Sequence, residues 1–390
     1  MAAAGAQGAP ARVTVPQGSS AAEVSALVDR VLAGGAELLL GTSGSTGSPA
    51  LSVLRGQDLR ASAEATHQRL GGPGRWVLAL PPSHIAGVQV LVRAAVAGTD
   101  PVVTTGADGS GFDPARLADD LEGQDDAATG QPARTYLSLV PTQVVRLVDD
   151  PDSAQRVAAA VGVILVGGAA LPPSVGDRAR TLGLPLVRTY GSTETCGGCV
   201  YDGLPLPGVE IGLTDAGRIT LTAPWVTRGW VLPDGTVARE RAATGARIEE
   251  ADPAPDGTVR RTLVTDDLGA LDAAGRLTVL GRADDMISTG GLSVSPRVVS
   301  DAVSALPSVG ECAVVGISDP VWGERVSLVA TAVTAPAPSL ADLRDALRDQ
   351  LEPAALPRAV RWVDALPLAG PGKYDRRAVR ELALEPDERA

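Results

Sequence analysis

VGVILVGGAALPPSVGDRARTLGLPLVRTYGSTE, residues 161–194, holds the alternation on which the fold of this chain turns. Residues 161–166 form a short β-branched run of the kind buried inside a sheet, and Gly167-Gly168-Ala169 closes it. A helix over 173–182 then leads to a second apolar strand, 186–190, which stops at Gly191-Ser192-Thr193-Glu194. The same order recurs upstream. Strand 37–40 runs into loop 41–49 and helix 56–70; strand 76–80 ends at Pro81-Pro82-Ser83-His84-Ile85-Ala86-Gly87 before helix 88–97; strand 135–140 precedes helix 141–149. Strands alternating with helices predict a largely parallel sheet. In such sheets ligands collect beyond the carboxyl ends of the strands, where these Gly, Ser and Thr loops fall.

From 209 to 280 the pattern changes to short strands separated by Gly, Asp and Pro, a β-rich subdomain, with a boundary near 282–285. Beyond it, 296–306, 339–351 and 375–383 read as helices, and 312–317 and 327–333 as extended segments, with Ser339 and Asp342 arranged as an N-cap. Residues 1–20 read as a loose arm before a helix over 21–33. The expected class is α/β. A large N-terminal domain (1–281) of mainly parallel sheets with helices plus a β-rich subdomain precedes a small α+β C-terminal domain (282–390).

A chain of 390 residues with 44% hydrophobic content buries a substantial core, built mainly from Ala, Val and Leu because aromatics make up only 3%. A net charge of −12 without long basic runs argues against a nucleic-acid surface, so anionic ligands must be held locally. No apolar run reaches membrane-spanning length and no signal peptide is evident, which makes a cytoplasmic location without membrane insertion the default expectation. Three cysteines make no disulfide framework. The Cys196-Gly197-Gly198-Cys199 spacing lacks the second Cys pair or nearby His that a zinc site needs.

Lys373 is the only lysine; every other residue of the Lys-plus-Arg set is arginine. Arginine fills most surface roles but cannot replace a compact ammonium aimed at one oxygen cluster, although a lysine near a C-terminus is also commonly just solvated. The loop Thr42-Ser43-Gly44-Ser45-Thr46-Gly47 has the composition of a phosphate cradle, without the lysine and glycine spacing of a Walker A loop. Tyr190-Gly191-Ser192-Thr193-Glu194 sets a carboxylate beside a hydroxyl, a hard-oxygen pair suited to a Mg²⁺ ion shared with substrate phosphates, or simply a solvated or paired glutamate. Thr265-Asp266-Asp267-Leu268-Gly269 and Gly281-Arg282-Ala283-Asp284-Asp285 place further carboxylates and one arginine at turns.

Taken in order, these motifs resemble those of the acyl-adenylate-forming superfamily of acyl-CoA synthetases, luciferases and adenylation domains, from about Leu40 to Arg377. Within it the chain is most similar to the short o-succinylbenzoate-CoA ligases of menaquinone biosynthesis, on Arg188 to Gly203, Ser83 to Gly87 and Ser138 to Gln143. The resemblance implies ATP, Mg²⁺ and coenzyme A as the small molecules used. It assigns ATP contacts to Thr42, Ser43, Gly44, Ser45, Thr46, Gly47, Gly168, Ala169, Tyr190, Gly191 and Thr193, with Asp267 on the ribose hydroxyls assisted by Arg282. Glu194 is implied as the Mg²⁺ ligand and, with Lys373, as catalytic. His84, Thr142, Gln143, Cys196 and Gly197 are implied around the acyl substrate, Gly290 and Gly291 along the coenzyme A tunnel, and Asp284 as the hinge of a mobile C-terminal domain. A structural role for His84 stays open, as does a homodimer.

Two departures stand out. Ala50 occupies a place where the family commonly has a lysine, and only about forty residues precede the phosphate loop. The expected activity is ligation of 2-succinylbenzoate to coenzyme A. The alternatives are a ligase for another aryl or short acyl acid, or a non-catalytic nucleotide-binding protein.

Overall fold

The computed structural model describes residues 10–41, 51–107, 111–122, 134–241, 244–370 and 373–385. At its centre, the parallel strands Arg75–Leu78, Thr135–Leu139, Val163–Val166 and Leu186–Ser192 lie side by side in that order. Val102–Val103 adds a parallel edge, and the hairpin Gly197–Tyr201 with Leu204–Pro205 an antiparallel one. The expected parallel sheet is present. Alternate side chains go to opposite faces: Trp76, Leu78 and Tyr136 join one core, Val77, Leu137, Ile164 and Val166 the other. Helices Ala21–Leu32, Gly56–Arg69 and Ile85–Ala97 cover the first face; Pro114–Leu121, Pro141–Val148, Pro151–Ala160 and Pro173–Thr181 cover the second. Burial on both sides is why these strands read as unbroken apolar runs.

Two of those helices, Pro114–Leu121 and Pro151–Ala160, were not expected from the sequence, although each begins with a legible signal. Asp113 and Asp150 cap the free N–H groups, and a proline follows at the first helical position.

A second sheet runs Ala11–Thr14, Ala36–Gly41, Leu51–Arg55, Trp230–Val231, Val237–Ala238. Its first member corrects the expected loose arm: residues 11–14 pair parallel with Ala36–Gly41 as an exposed edge strand. An edge strand takes its conformation from its partner's backbone, and so needs no apolar periodicity of its own. A third, antiparallel sheet carries Glu210–Leu213, Arg218–Ala223, Arg247–Ala251, Arg260–Leu271 and Leu277–Arg282.

After Arg282 the chain makes one tight turn, Ala283–Asp285, and enters a further sheet of Ile287–Thr289, Leu292–Val294, Val309–Asp319, Gly323–Ala332 and Ala359–Trp362. Pro296–Ser304 and Leu340–Leu347 pack on one face of it and Arg376–Leu384 on the other. No helix among the described residues is long and apolar enough to cross a membrane.

One polar cluster is built into the large core. Buried Arg93 lies 4.9 Å from the Trp76 ring centroid and donates to the Tyr201 hydroxyl at 3.4 Å, while the Trp76 indole N–H donates to His67 Nε2 at 3.1 Å. That bond requires His67 to be neutral at Nε2, and burial with the nearby Arg93 charge lowers its pKa from 6.5 to about 4. A base with a depressed folded pKa stabilises the fold above its unfolded pKa and ceases to do so as the pH falls through the folded value. Urea unfolding should therefore show a loss of at most about 2 kcal/mol between pH 7 and pH 5 attributable to this residue. His67→Gln should flatten that slope; an unchanged slope would show that His67 is not held neutral.

Candidate active site

Because the four central strands are parallel, the segments that follow Leu78, Leu139, Val166 and Ser192 emerge at one edge of the sheet. The hairpin of the second sheet meets them there. Gly41 and Leu51 are register partners, and the Gly41 carbonyl accepts from Thr193 Oγ1 at 3.4 Å. Residues 42–50, which include the phosphate-loop residues Thr42 to Gly47 and Ala50, lie outside the described residues.

The strand Leu186–Ser192 delivers Tyr190 and Gly191, and a single turn, Thr193–Thr195, places Glu194. Gly191 is needed by space: a Cβ there would lie 2.2 Å from the Gly197 carbonyl oxygen. The Glu194 side chain is only 6% exposed, and Oε1 accepts from the Trp230 indole N–H at 2.9 Å. Its backbone carbonyl accepts from Thr227 N at 2.8 Å. Glu194 makes no ion pair among the described residues. A buried carboxylate with one neutral donor and no protein cation is costly unless a cation joins it. Among the described residues no three His, Cys, Asp or Glu side chains converge on a metal site. The donor set thus fits an ion that takes one carboxylate from the protein and the rest of its shell from phosphates and water.

The strands Arg260–Leu271 and Leu277–Arg282 set Asp267 and Arg282 as register partners. The Tyr190 hydroxyl donates to Asp267 Oδ2 at 2.7 Å, joining the two sheets. Arg282 makes a two-pronged contact with Asp284, Nε to Oδ1 at 2.8 Å and Nη2 to Oδ2 at 3.1 Å, and reaches Asp266 at 3.5 Å. Asp266 also accepts from Arg218 at 2.9 Å. Burial raises the Asp267 carboxyl above the ordinary aspartate range, against the Tyr190 hydrogen bond and the Arg282 charge, which lower it. Burial, then the Asp267 charge, pushes Tyr190 well up, so its phenol stays a donor. The Arg282 bond lowers Asp284.

Gly168 and Ala169 lie on the exposed segment after Val163–Val166, with Gly168 at φ 86°. His84 is exposed at the N-terminus of helix Ile85–Ala97. Partly buried Thr142 and Gln143 open the helix Pro141–Val148. The Gln143 amide donates to Ala79 O at 2.8 Å and accepts from Val140 N at 3.0 Å, so it braces two strand ends against each other. The Cys196 thiol is fully buried in the large core and donates to Trp225 O at 3.3 Å. Its backbone is a hub: at φ 53° its carbonyl accepts from Gln89 Nε2 at 2.6 Å and Ser62 Oγ at 3.2 Å. Gly197, buried at φ 93°, packs against Gln89 and Ile85.

On the C-terminal side, Gly290 and Gly291 form the exposed turn between Ile287–Thr289 and Leu292–Val294, at φ 60° and 78°. Gly290 borders a groove of about 950 Å³ that Trp322, Arg344 and Arg358 also line. Asp284 sits in the turn Ala283–Asp285. The Lys373 backbone pairs with Gly370, and its side chain lies outside what the structure describes. Three residues later Arg376 forms an ion pair with Asp285, which brings the Lys373 segment beside the turn Ala283–Asp285.

The sequence alone did not reveal Trp230, Gln89 or Ser62 as partners of this site. Trp230 had one available signal, being one of five tryptophans in an aromatic-poor chain. Gln89 and Ser62 had none, because each acts on a backbone carbonyl distant in sequence.

The chain matches the family described as AMP-binding enzyme over residues 38–231, and the AMP-binding enzyme C-terminal domain over residues 299–373. A probable 2-succinylbenzoate–CoA ligase of Mycobacterium tuberculosis H37Rv is 39% identical over 383 residues, 97% of this chain and 93% of that protein. This chain belongs to the AMP-binding enzyme family. A 2-succinylbenzoate–CoA ligase of Lactococcus lactis is 26% identical, over 88% of this chain and 70% of its own length. In structure the chain is similar to the o-succinylbenzoate CoA synthetase of Bacillus subtilis in complex with the acyl-adenylate intermediate OSB-AMP, with a TM-score of 0.70 and 25% identity over 88% of this chain and 68% of that one.

If nucleotide hydroxyls donate to Asp267, the ionised carboxyl accepts them more strongly than the neutral acid does. AMP affinity measured by calorimetry should then weaken on the acid side, and Tyr190→Phe, which removes a bond that lowers this pKa, should move the midpoint to higher pH. Asp267→Asn should cost about 10- to 100-fold in affinity at neutral pH, the loss of bonds to a charged acceptor. A midpoint that does not move in Tyr190→Phe would separate Asp267 from the nucleotide.

Proposed function

We propose that this enzyme joins 2-succinylbenzoate to coenzyme A at the expense of ATP, releasing AMP and pyrophosphate, as a step toward menaquinone. The observation that carries this reading is the set of Tyr190, Asp267, Arg282 and a buried Glu194 that makes no ion pair among the described residues, on a chain 39% identical to a probable ligase of that acid. A polar pocket floor suits the sugar hydroxyls, and an isolated carboxylate suits a phosphate-bound cation. A cytoplasmic site of action fits ATP and coenzyme A as substrates.

Two half-reactions follow. A carboxylate oxygen of the acid attacks the α-phosphorus of ATP, the bond to the β-phosphate oxygen breaks, and pyrophosphate leaves with its electron pair. The thiol sulfur of coenzyme A then attacks the acyl carbon and loses its proton, and AMP departs. Asp267 and Arg282 hold the ribose; Tyr190 keeps Asp267 in place. Glu194 would hold Mg²⁺, which supplies positive charge against the phosphate oxygens when bound. Lys373 brings its ammonium to the oxygens that gain charge in the first step.

That same ammonium occupies the side from which the thiol must come, so residues 282–390 act as a moving domain that turns at Asp284. Gly290 and Gly291 then face the tunnel for the pantetheine arm, where their lack of Cβ keeps it open. His84 and Gly197, at the start of helix Ile85–Ala97 and beside it, border the acyl group, with Thr142 and Gln143 bracing its wall.

Pyrophosphate release measured across a panel of carboxylic acids tests the reading directly. Release that depends on 2-succinylbenzoate supports it; release with a different acid assigns another substrate; nucleotide binding without turnover with any acid makes the chain a binding protein. Lys373→Ala should lower the first half-reaction by about 10²- to 10³-fold, the usual cost of a preplaced charge-stabilising group. Thioester formation from supplied acyl-adenylate should change only a few-fold, and an equal loss in both steps would remove Lys373 from this role.

A further inference from the structure

The carboxylate of Glu194 is held by a donor whose chemistry is informative. Trp230 is 2% exposed, and its indole N–H gives Glu194 Oε1 one hydrogen bond of 2.9 Å. The indole has no freedom to leave. Trp230 is in register with Ser52 on one side and Ala238 on the other. Just before it, the Gly229 carbonyl accepts from Val53 N at 3.2 Å, and Thr227 Oγ1 donates to Val53 O at 2.7 Å. Gly229, at φ 145°, is excluded from bearing a side chain because a Cβ would lie 2.2 Å from Ala238 O. Buried Arg261, from the strand Arg260–Leu271, donates to the carbonyls of Val226 and Thr227 at 2.7 and 3.2 Å. The segment that ties down Glu194 is therefore the same one that is sewn to Leu51–Arg55, the strand that leaves the phosphate loop.

We infer that Trp230 is a positioning residue for the metal-binding carboxylate, fixing Oε1 so that Oε2 is presented to a divalent cation shared with the nucleotide phosphates. This rests on Glu194 being the metal ligand, as proposed above. A neutral donor suits the task better than a charged one. An arginine or lysine at this distance would orient the carboxylate but also neutralise it and compete with the ion. The indole N–H has one donor and no charge, so it sets the geometry and leaves the full negative charge for the cation. Outer partners of this kind commonly change metal affinity by 10- to 100-fold when removed.

The test is Mn²⁺ binding followed by electron paramagnetic resonance in the presence of saturating α,β-methylene ATP, with the metal-free affinity for the same nucleotide measured by calorimetry. Trp230→Phe removes the donor and keeps a ring. Because the residue is buried, a second variant carries 3-benzothienylalanine at position 230, which keeps the shape of the indole and replaces only N–H with sulfur. Expected for both is Mn²⁺ affinity weakened by about tenfold or more, with metal-free nucleotide affinity within twofold of the parent protein. Glu194→Gln should weaken Mn²⁺ at least as much. If Glu194→Gln loses the ion while the benzothienyl variant keeps it within threefold, the positioning role is wrong and the metal-ligand reading stands. If Glu194→Gln retains Mn²⁺, both fall. Equal losses with and without metal would reduce Trp230 to a packing residue.

Discussion

Arg282 ties the carboxylates beside Tyr190 to the turn Ala283–Asp285. Its guanidinium faces Asp266 and Asp284 directly, lies 4.0 Å from Asp285, and acts on Asp267 through space. Four carboxylates converging without it would repel one another, and the tight turn Ala283–Asp285 places two of them within three residues of Arg282. The position is set by register: the last residue of Leu277–Arg282 pairs across to Asp267. The strand pairing that builds the third sheet therefore also delivers the charge that lets the chain turn into its C-terminal part.

The other side of the site depends on packing rather than charge. Parallel strands buried on both faces present their carboxyl ends at one edge, and the loops there are braced by short polar contacts. Gln143 joins Ala79 to Val140, Thr193 meets Gly41, and Gln89 with Ser62 holds the Cys196 carbonyl. Each contact pairs a side-chain group with a backbone N–H or carbonyl that the sheet edge would otherwise leave open; the Gln143 oxygen accepts from Val140 N, and the others donate to carbonyls. The left-handed conformation of Cys196 is sparsely populated for a residue with a side chain, and two donors on its carbonyl with a thiol bond to Trp225 keep it there. Glu194 stands two residues away, so the stiffness of this hub is transmitted to it through a single turn.

How much of this could be read from the sequence follows from the range of each signal. The alternation of strands and helices, the Gly and Ser loops at strand ends and the break near Arg282 are local patterns, and they located the central sheet and the carboxylates around Asp267. The edge strand Ala11–Thr14 carries no pattern of its own and takes its order from Ala36–Gly41, so it read as a loose arm. Trp230 sits thirty-six residues from Glu194, and only the pairing of its two-residue strand with Ser52 brings them together. The bonds at Cys196 were illegible for a related reason: a sequence shows which residue follows a motif, but Ser62 and Gln89, which hold its carbonyl, come from the distant helices Gly56–Arg69 and Ile85–Ala97.

The strengths of these contacts differ across the turn. Asp266 is 7% exposed and held by both Arg218 and Arg282, and Tyr190 closes on Asp267 from the neighbouring sheet, so these carboxylates are tied by buried, multiply bonded groups. The contact between Arg282 and Asp284 is largely solvated, with 36% and 47% of the two side chains exposed. An ion pair in that setting is worth about 1 kcal/mol or less. On the proposed rotation at Asp284, the Arg282–Asp284 contact would be released together with others across the same turn, such as Ser295 Oγ to Leu280 O and Arg376 to Asp285, while Arg218 still holds Asp266. Were Asp266 held by Arg282 alone, that rotation would loosen the carboxylates beside Tyr190 as well, and on the proposed mechanism the adenylate would be set free before the thiol arrived.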